Sequence, residues 1–214
     1  MNIAGAKTTT DVSPDASFPD LPTAALESGG WKRVEKSVET VSRVPTVRVI
    51  AATVRYEDER TRAALRRATT GEVDHPVRFF AATTLSFRPS LPLGVSKAMA
   101  APVVRREACE RFAKRLREVG LADVTRTDRE RLTFDGGTRI TLTQYEATAS
   151  FAPNRTVPLR CWVGIWAASS GFRIVSGGYP RESLASVFGL EGEQLERTPQ
   201  AYYLEFLSLL RAVE

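Results

Sequence analysis

The chain has 214 residues, 43% hydrophobic and 26% charged, a balance that argues against whole-chain disorder and against a membrane-spanning protein. At this length it can bury a substantial core as one domain without disulfides or metals. The net charge of +5 points toward an anionic partner, but runs such as YEDERTRAALRR and VVRREACERFAKRLRE mix both signs as solvated helix faces do, which argues against nucleic acid.

Residues 1–20 are rich in Thr, Ser, Asp and Pro without apolar period, and read as a disordered arm or tether. They lack the basic segment and hydrophobic run of a secretory signal. Thr23 to Ser28 can form one short helical turn stopped by Gly29 and Gly30. From Trp31 the period becomes two: Val34 and Val38, then Val47, Val49, Ala51 and Thr53 against Ile50, Ala52, Val54 and Tyr56. This predicts two strands broken near Pro45.

Asp58 is placed to cap a short, mostly exposed helix through Ala63, Ala64 and Leu65, with Gly71 as its stop. Val77 to Phe87 reads as a strand whose small central residues let a helix approach. The longest helix is predicted to start near Ser96 or Pro102 and end before Gly120, its apolar stripe being Val104, Ala108, Phe112, Leu116 and Val119. Two strands follow, Val124 to Phe134 and Thr138 to Phe151, around the turn Asp135-Gly136-Gly137. Ile140 and Leu142 share one face of the second but Tyr145, Ala147, Ala149 and Phe151 share the other, so a bulge or bend near Thr143 is expected.

A hairpin over Val157 to Pro180, turning at Ser169-Ser170-Gly171, forms the centre of the predicted sheet. Leu159, Cys161, Val163, Ile165 and Ala167 lie on one face of its first strand, and Trp162 and Trp166 flank Gly164 on the other. A strand apolar on both faces needs cover on both, which implies three layers. The closing helix has Thr198 as N-cap and Pro199 at its first position, and is expected to bury Tyr203, Phe206, Leu210 and Val213. The fold expected is a single α+β domain over residues 21–214, an antiparallel sheet of about six or seven strands with helices on both faces in an α/β/α sandwich.

No motif specifies a reaction. His75, the sole histidine, sits in Asp74-His75-Pro76 before a strand, and one histidine without a Ser/His/Asp signature reads as a surface turn residue. Cys109, flanking the long helix's stripe, reads as a buried inert thiol, and whether it pairs with Cys161 is open. Gly136-Gly137 and Gly177-Gly178 lack phosphate-loop spacing and read as turns or bulges. Neither a metal nor a cofactor is called for. Tyr145, Arg160, Trp162 and Trp166 form a candidate surface for an apolar or anionic ligand, the competing reading being core beneath a helix. If the long helix covers Leu159 to Ala167, the closing helix should cover the tryptophans. Asn154-Arg155-Thr156 matches the glycosylation triplet in a predicted exposed turn.

The succession GGWKRVEKSVETV, VRVIAATVRYED, RFFAATTLSF, long helix, GFRIVSGGYP and closing helix resembles a family of uncharacterised haloarchaeal lipoproteins, over about Leu21 to Val213. The element order is also similar to the PsbP/Mog1/LpqN-like group. The resemblance implies a sheet between helical layers and a non-catalytic binding or assembly role. It further implies an envelope-associated or membrane-tethered protein, anchored ahead of Met1, whose partner is a protein or a small apolar or anionic ligand. The alternatives are a nucleic-acid or anionic-surface binder and a hydrolase-type enzyme using His75 or a carboxylate.

Overall fold

The computed structural model describes residues 17–44, 47–90, 96–134, 137–152 and 155–213. Its strands are β1 (Trp31–Val44), β2 (Val47–Asp58), β3 (Phe79–Arg88), β4 (Ala122–Thr133), β5 (Arg139–Ala152), β6 (Arg155–Ala168) and β7 (Gly171–Pro180). Its helices are α1 (Thr23–Ser28), α2 (Glu59–Ala68), α3 (Lys97–Glu118), α4 (Leu184–Phe188) and α5 (Pro199–Arg211). The seven strands form one sheet in the order β1-β2-β3-β7-β6-β5-β4, every neighbouring pair antiparallel. No helix among the described residues is long and apolar enough to cross a membrane.

Both faces of the sheet are covered, as the two-sided apolar pattern of β6 requires. Leu65 of α2, Phe112 and Leu116 of α3 and Leu184 of α4 pack against Tyr145, Leu159, Cys161, Val163, Ile165 and Phe172. On the other face, Leu26 of α1 and Tyr202, Phe206 and Leu210 of α5 pack against Tyr56, Phe80, Leu142, Trp162 and Val175. The architecture is α+β, and β7, between β3 and β6, joins the β1–β3 meander to the β4–β7 meander.

Local signals place most boundaries. Asp58 accepts from the Thr61 amide at 2.8 Å, and Ser96 and Thr198 accept from the Met99 and Ala201 amides, closing the first turns of α2, α3 and α5. Several expectations need correction. The register of β5 with β6 runs unbroken from Thr141 to Ser150, so no bulge lies at Thr143. A straight strand suffices because Ile140 and Leu142 pack under α5 while Tyr145, Ala147 and Ala149 pack under α3. The bulge lies instead on β4, between Arg126 and Asp128. Gly177 and Gly178 stand mid-strand in β7, neither turn nor bulge: a Cβ at Gly177 would lie 2.8 Å from the Phe206 ring, and one at Gly178 2.4 Å from the Phe79 ring.

Val119 is 47% exposed, because α3 ends at Glu118 and Val119 turns away as its C-cap, while Cys109 and Ala113 join the buried stripe. Ala167, near the tip of the β6–β7 hairpin, is exposed. Thr61 and Leu65 are fully buried on α2, which is therefore less exposed than expected. The stretch 181–197, unread in the sequence, forms α4 and brings Leu184 and Leu195 into the α3-side core. Residues 1–16 of the expected arm, Pro45 and the Asp135-Gly136 part of the turn lie outside the described residues. Of the arm's last four residues, Pro19 is buried and Phe18 packs on the α5-side core, with Lys36 Nζ 4.4 Å from its ring centroid.

Candidate functional site

Strand alternation separates the four residues singled out in the sequence. Trp162 is buried, its ring stacks on Tyr203 of α5 at 5.5 Å between centroids, and its Nε1–H donates to the Tyr179 hydroxyl at 2.9 Å. Trp166 packs half-buried against the same core, and Arg160 lies opposite Tyr179 on the same face. The closing helix thus covers Trp162. Tyr145 lies opposite Cys161, on the other side of the sheet under α3, and is not brought together with the tryptophans. Its hydroxyl donates to the Cys109 carbonyl at 3.2 Å, its ring meets Phe112 edge-on at 5.6 Å, and burial, with the Cys109 thiol, pushes its pKa up to about 12.

The remaining candidates fall apart from one another. His75 is exposed, its ring 5.9 Å from that of Phe151. Cys109 and Cys161 are free and buried; the Cys109 thiol faces Thr143 Oγ1 at 3.7 Å, and burial pushes the Cys161 thiol up to about 12. Asn154 lies outside the described residues. Among the described residues no three His, Cys, Asp or Glu side chains cluster as metal ligands would.

A cleft of about 560 Å³ opens between α3 and the edge strand β4. Along α3 its wall is Pro102, Arg105, Arg106, Cys109, Glu110, Ala113 and Arg117, a flank that recurs every three or four residues. Arg126 and Arg129 of β4 form the other wall, and Tyr145 lies between. Three residues apart on a regular strand, these two arginines would point to opposite faces. The β4 bulge adds one residue between them, so that Arg126 lies opposite Tyr145 and Arg129 opposite Thr143, both on the α3 side.

Five arginines against one glutamate line this space. Two are engaged: Arg106 Nε is 4.0 Å from Glu110, and Arg117 Nη2 donates to the Val124 carbonyl at 3.0 Å. Among the described residues, the guanidinium groups of Arg105, Arg126 and Arg129 form no ion pair, and Arg105 Nε is shut from solvent without a hydrogen-bond partner. Like charges gathered in a partly enclosed cleft repel one another and focus a positive potential, which an anion relieves. The sequence hid this site because Arg105 to Arg117 read as a sign-mixed helix face, and only the tertiary placement of α3 beside the β4 bulge adds Arg126 and Arg129 to it.

A second charged group is structural. Arg78, 3% exposed, pairs with Asp58 and, at 2.9 Å, with Glu205 Oε2. Arg197 donates to the same oxygen at 2.8 Å and Trp31 Nε1 to Oε1 at 2.9 Å. With both carboxylate oxygens occupied, Glu205 is a clasp between α5 and the sheet rather than a free acid or base. Glu205 lies on α5, 127 residues from Arg78, which is why sequence spacing gave no hint of the pair.

No curated protein and no solved structure matches the chain. The family described as a domain of unknown function, DUF6517, matches residues 18–214, from Phe18 on the α5-side core through both walls of the arginine cleft, and the chain belongs to it.

Proposed function

We propose that the protein is a non-catalytic binding protein whose α3–β4 cleft holds an anionic ligand. The observation that carries this reading is the set of unpaired guanidinium groups, Arg105 from the helix and Arg126 and Arg129 from the strand, facing one space. Its volume of about 560 Å³ is within the range of small-molecule sites. Catalysis is not part of the proposal: of the cleft's acid–base groups, the Tyr145 hydroxyl is tied to the Cys109 carbonyl and Glu110 lies 4.0 Å from Arg106 Nε. An envelope-associated role is proposed on the lipoprotein resemblance alone, and fractionation of cells carrying the native gene tests it.

The binding reading is tested by melting temperature at low ionic strength against a panel of inorganic and organic anions. A ligand that binds only the folded state raises the melting temperature with its concentration. The double variant Arg126→Gln/Arg129→Gln should fold and lose the shift. Absence of a shift with every anion in the unaltered protein would sink the reading.

A further inference from the structure

Resting on that reading, we infer that the ligand of the α3–β4 cleft is a phosphate ester, its phosphate held by Arg105, Arg126 and Arg129 and its organic body directed along α3 toward Met99 and Val103. The charge argues for more than a monoanion. Five arginines and one glutamate leave the lining at a formal +4. A carboxylate brings one charge and two oxygens, enough for two guanidinium forks at most, whereas a phosphate monoester carries close to two charges and three terminal oxygens. Three unpaired guanidinium groups from two walls match the second inventory, and arginine is the side chain whose planar fork suits it.

The size and the apolar part of the lining argue for an organic body. Inorganic phosphate would fill a small part of about 560 Å³ and leave Pro102, the exposed apolar residue of the lining, facing water. The spacing Met99, Val103, Arg106, Glu110, Ala113, Arg117 alternates four and three residues, so all six share one flank of α3. At its N-terminal end Met99 is 66% and Val103 59% exposed. Neither is part of the lining of the cleft; they extend the Arg106–Arg117 flank beyond it toward the N-terminal end of α3 as an apolar strip. A ligand with an anionic head and an apolar body meets each part of this flank with its like. Two sources have this chemistry, a soluble phosphomonoester and a phospholipid whose head group is itself a phosphomonoester, as in phosphatidic acid.

The test is calorimetric titration of the full chain with phenyl phosphate and with phthalate, which share an aromatic ring and a double negative charge but differ in the anionic group. Sedimentation with phosphatidylcholine vesicles, with and without phosphatidic acid, runs in parallel. Phenyl phosphate is expected to bind at least about tenfold more tightly than phthalate. Arg105→Gln, Arg126→Gln and Arg129→Gln should each weaken it about tenfold, the scale of one hydrogen bond between charged groups. Arg126→Lys, which keeps the charge but not the fork, should recover only part of the loss, and Lys32→Gln on the far edge strand should change nothing. Circular dichroism shows whether each variant is folded.

Vesicle binding that requires phosphatidic acid and is lost in the same arginine variants assigns the lipid source. Binding of phenyl phosphate without vesicle binding assigns the soluble one. Phthalate binding as tightly as phenyl phosphate overturns the phosphate ester and leaves the anion-binding reading standing. Failure of both small anions and of the vesicles overturns the phosphate ester, and only the absence of a melting shift across the whole anion panel overturns the anion-binding reading with it.

Discussion

A guanidinium as buried as that of Arg78 is tolerated only when its charge is matched, and Asp58 and Glu205 match it from two elements. Glu205 shows how the balance falls. Burial alone pushes its carboxyl up, but the Arg78 charge, the Trp31 bond and Arg197 together hold it below the usual 4.5. Because the folded pKa is depressed, the ionised clasp contributes its stability fully above about pH 4.5 and loses it as pH falls through the lower folded value. Glu205→Gln should therefore cost about 1–3 kcal/mol at neutral pH, the worth of hydrogen bonds to charged groups. The two proteins should converge in acid. Urea unfolding at neutral pH and well below pH 4 measures this, and a pH-independent gap between the two curves would exclude the clasp. At this scale the sequence was legible where chemistry is local: Asp58 and Thr198 read as N-caps from their immediate neighbours, and both cap. It was illegible where the partner is remote, as Arg78 and Glu205 are.

At the scale of elements, the apolar periods identified the helices and strands, but one strand's pattern was ambiguous for a physical reason. Beneath two helical layers a straight strand is apolar on opposite faces at its two ends, and in β5 this imitates the slip that a bulge produces. The actual bulge, on β4, sits among charged residues of an exposed edge, where no apolar pattern exists to be broken. The glycines of β7 misled in another way. Gly177 and Gly178 look like punctuation, yet they are clearances that let Phe206 of α5 and the Phe79 ring lie directly on the strand. A methyl at Gly177 would meet the Phe206 ring at 2.8 Å with the Phe79 carbonyl 3.1 Å away, so relief requires α5 to shift. Gly177→Ala should cost about 1–3 kcal/mol, the usual scale of overpacking. The double variant Gly177→Ala/Phe206→Leu should recover part of it, and denaturant midpoints decide. A Gly177→Ala protein as stable as the parent would show that α5 is not held at that contact.

At the scale of the whole molecule, stability and binding are set at different places. The strands β3, β7 and β6 are paired on both sides and lie between the two cores, whereas β1 and β4 each have one unpaired edge. Most of β4 is exposed, and of its residues only Val124 is buried. Amide protection should be highest in β7 and β6 and lowest in the edge strands, since an edge opens without breaking the core. The cleft adds a condition to this gradient, because its strand wall is this weak edge and its helix wall, α3, is anchored on the core through Phe112 and Leu116. An anion bridging Arg105 to Arg126 and Arg129 ties the weak edge to the anchored helix. Binding then slows exchange in β4 around the Thr127 bulge and leaves β1, at the far edge, unchanged. Hydrogen exchange with and without phenyl phosphate reads this in the locally opening edge strands, since a ligand of the folded state slows the globally exchanging amides of β7 wherever it binds. Equal slowing in β1 and β4 would place the anion elsewhere than between α3 and its edge strand.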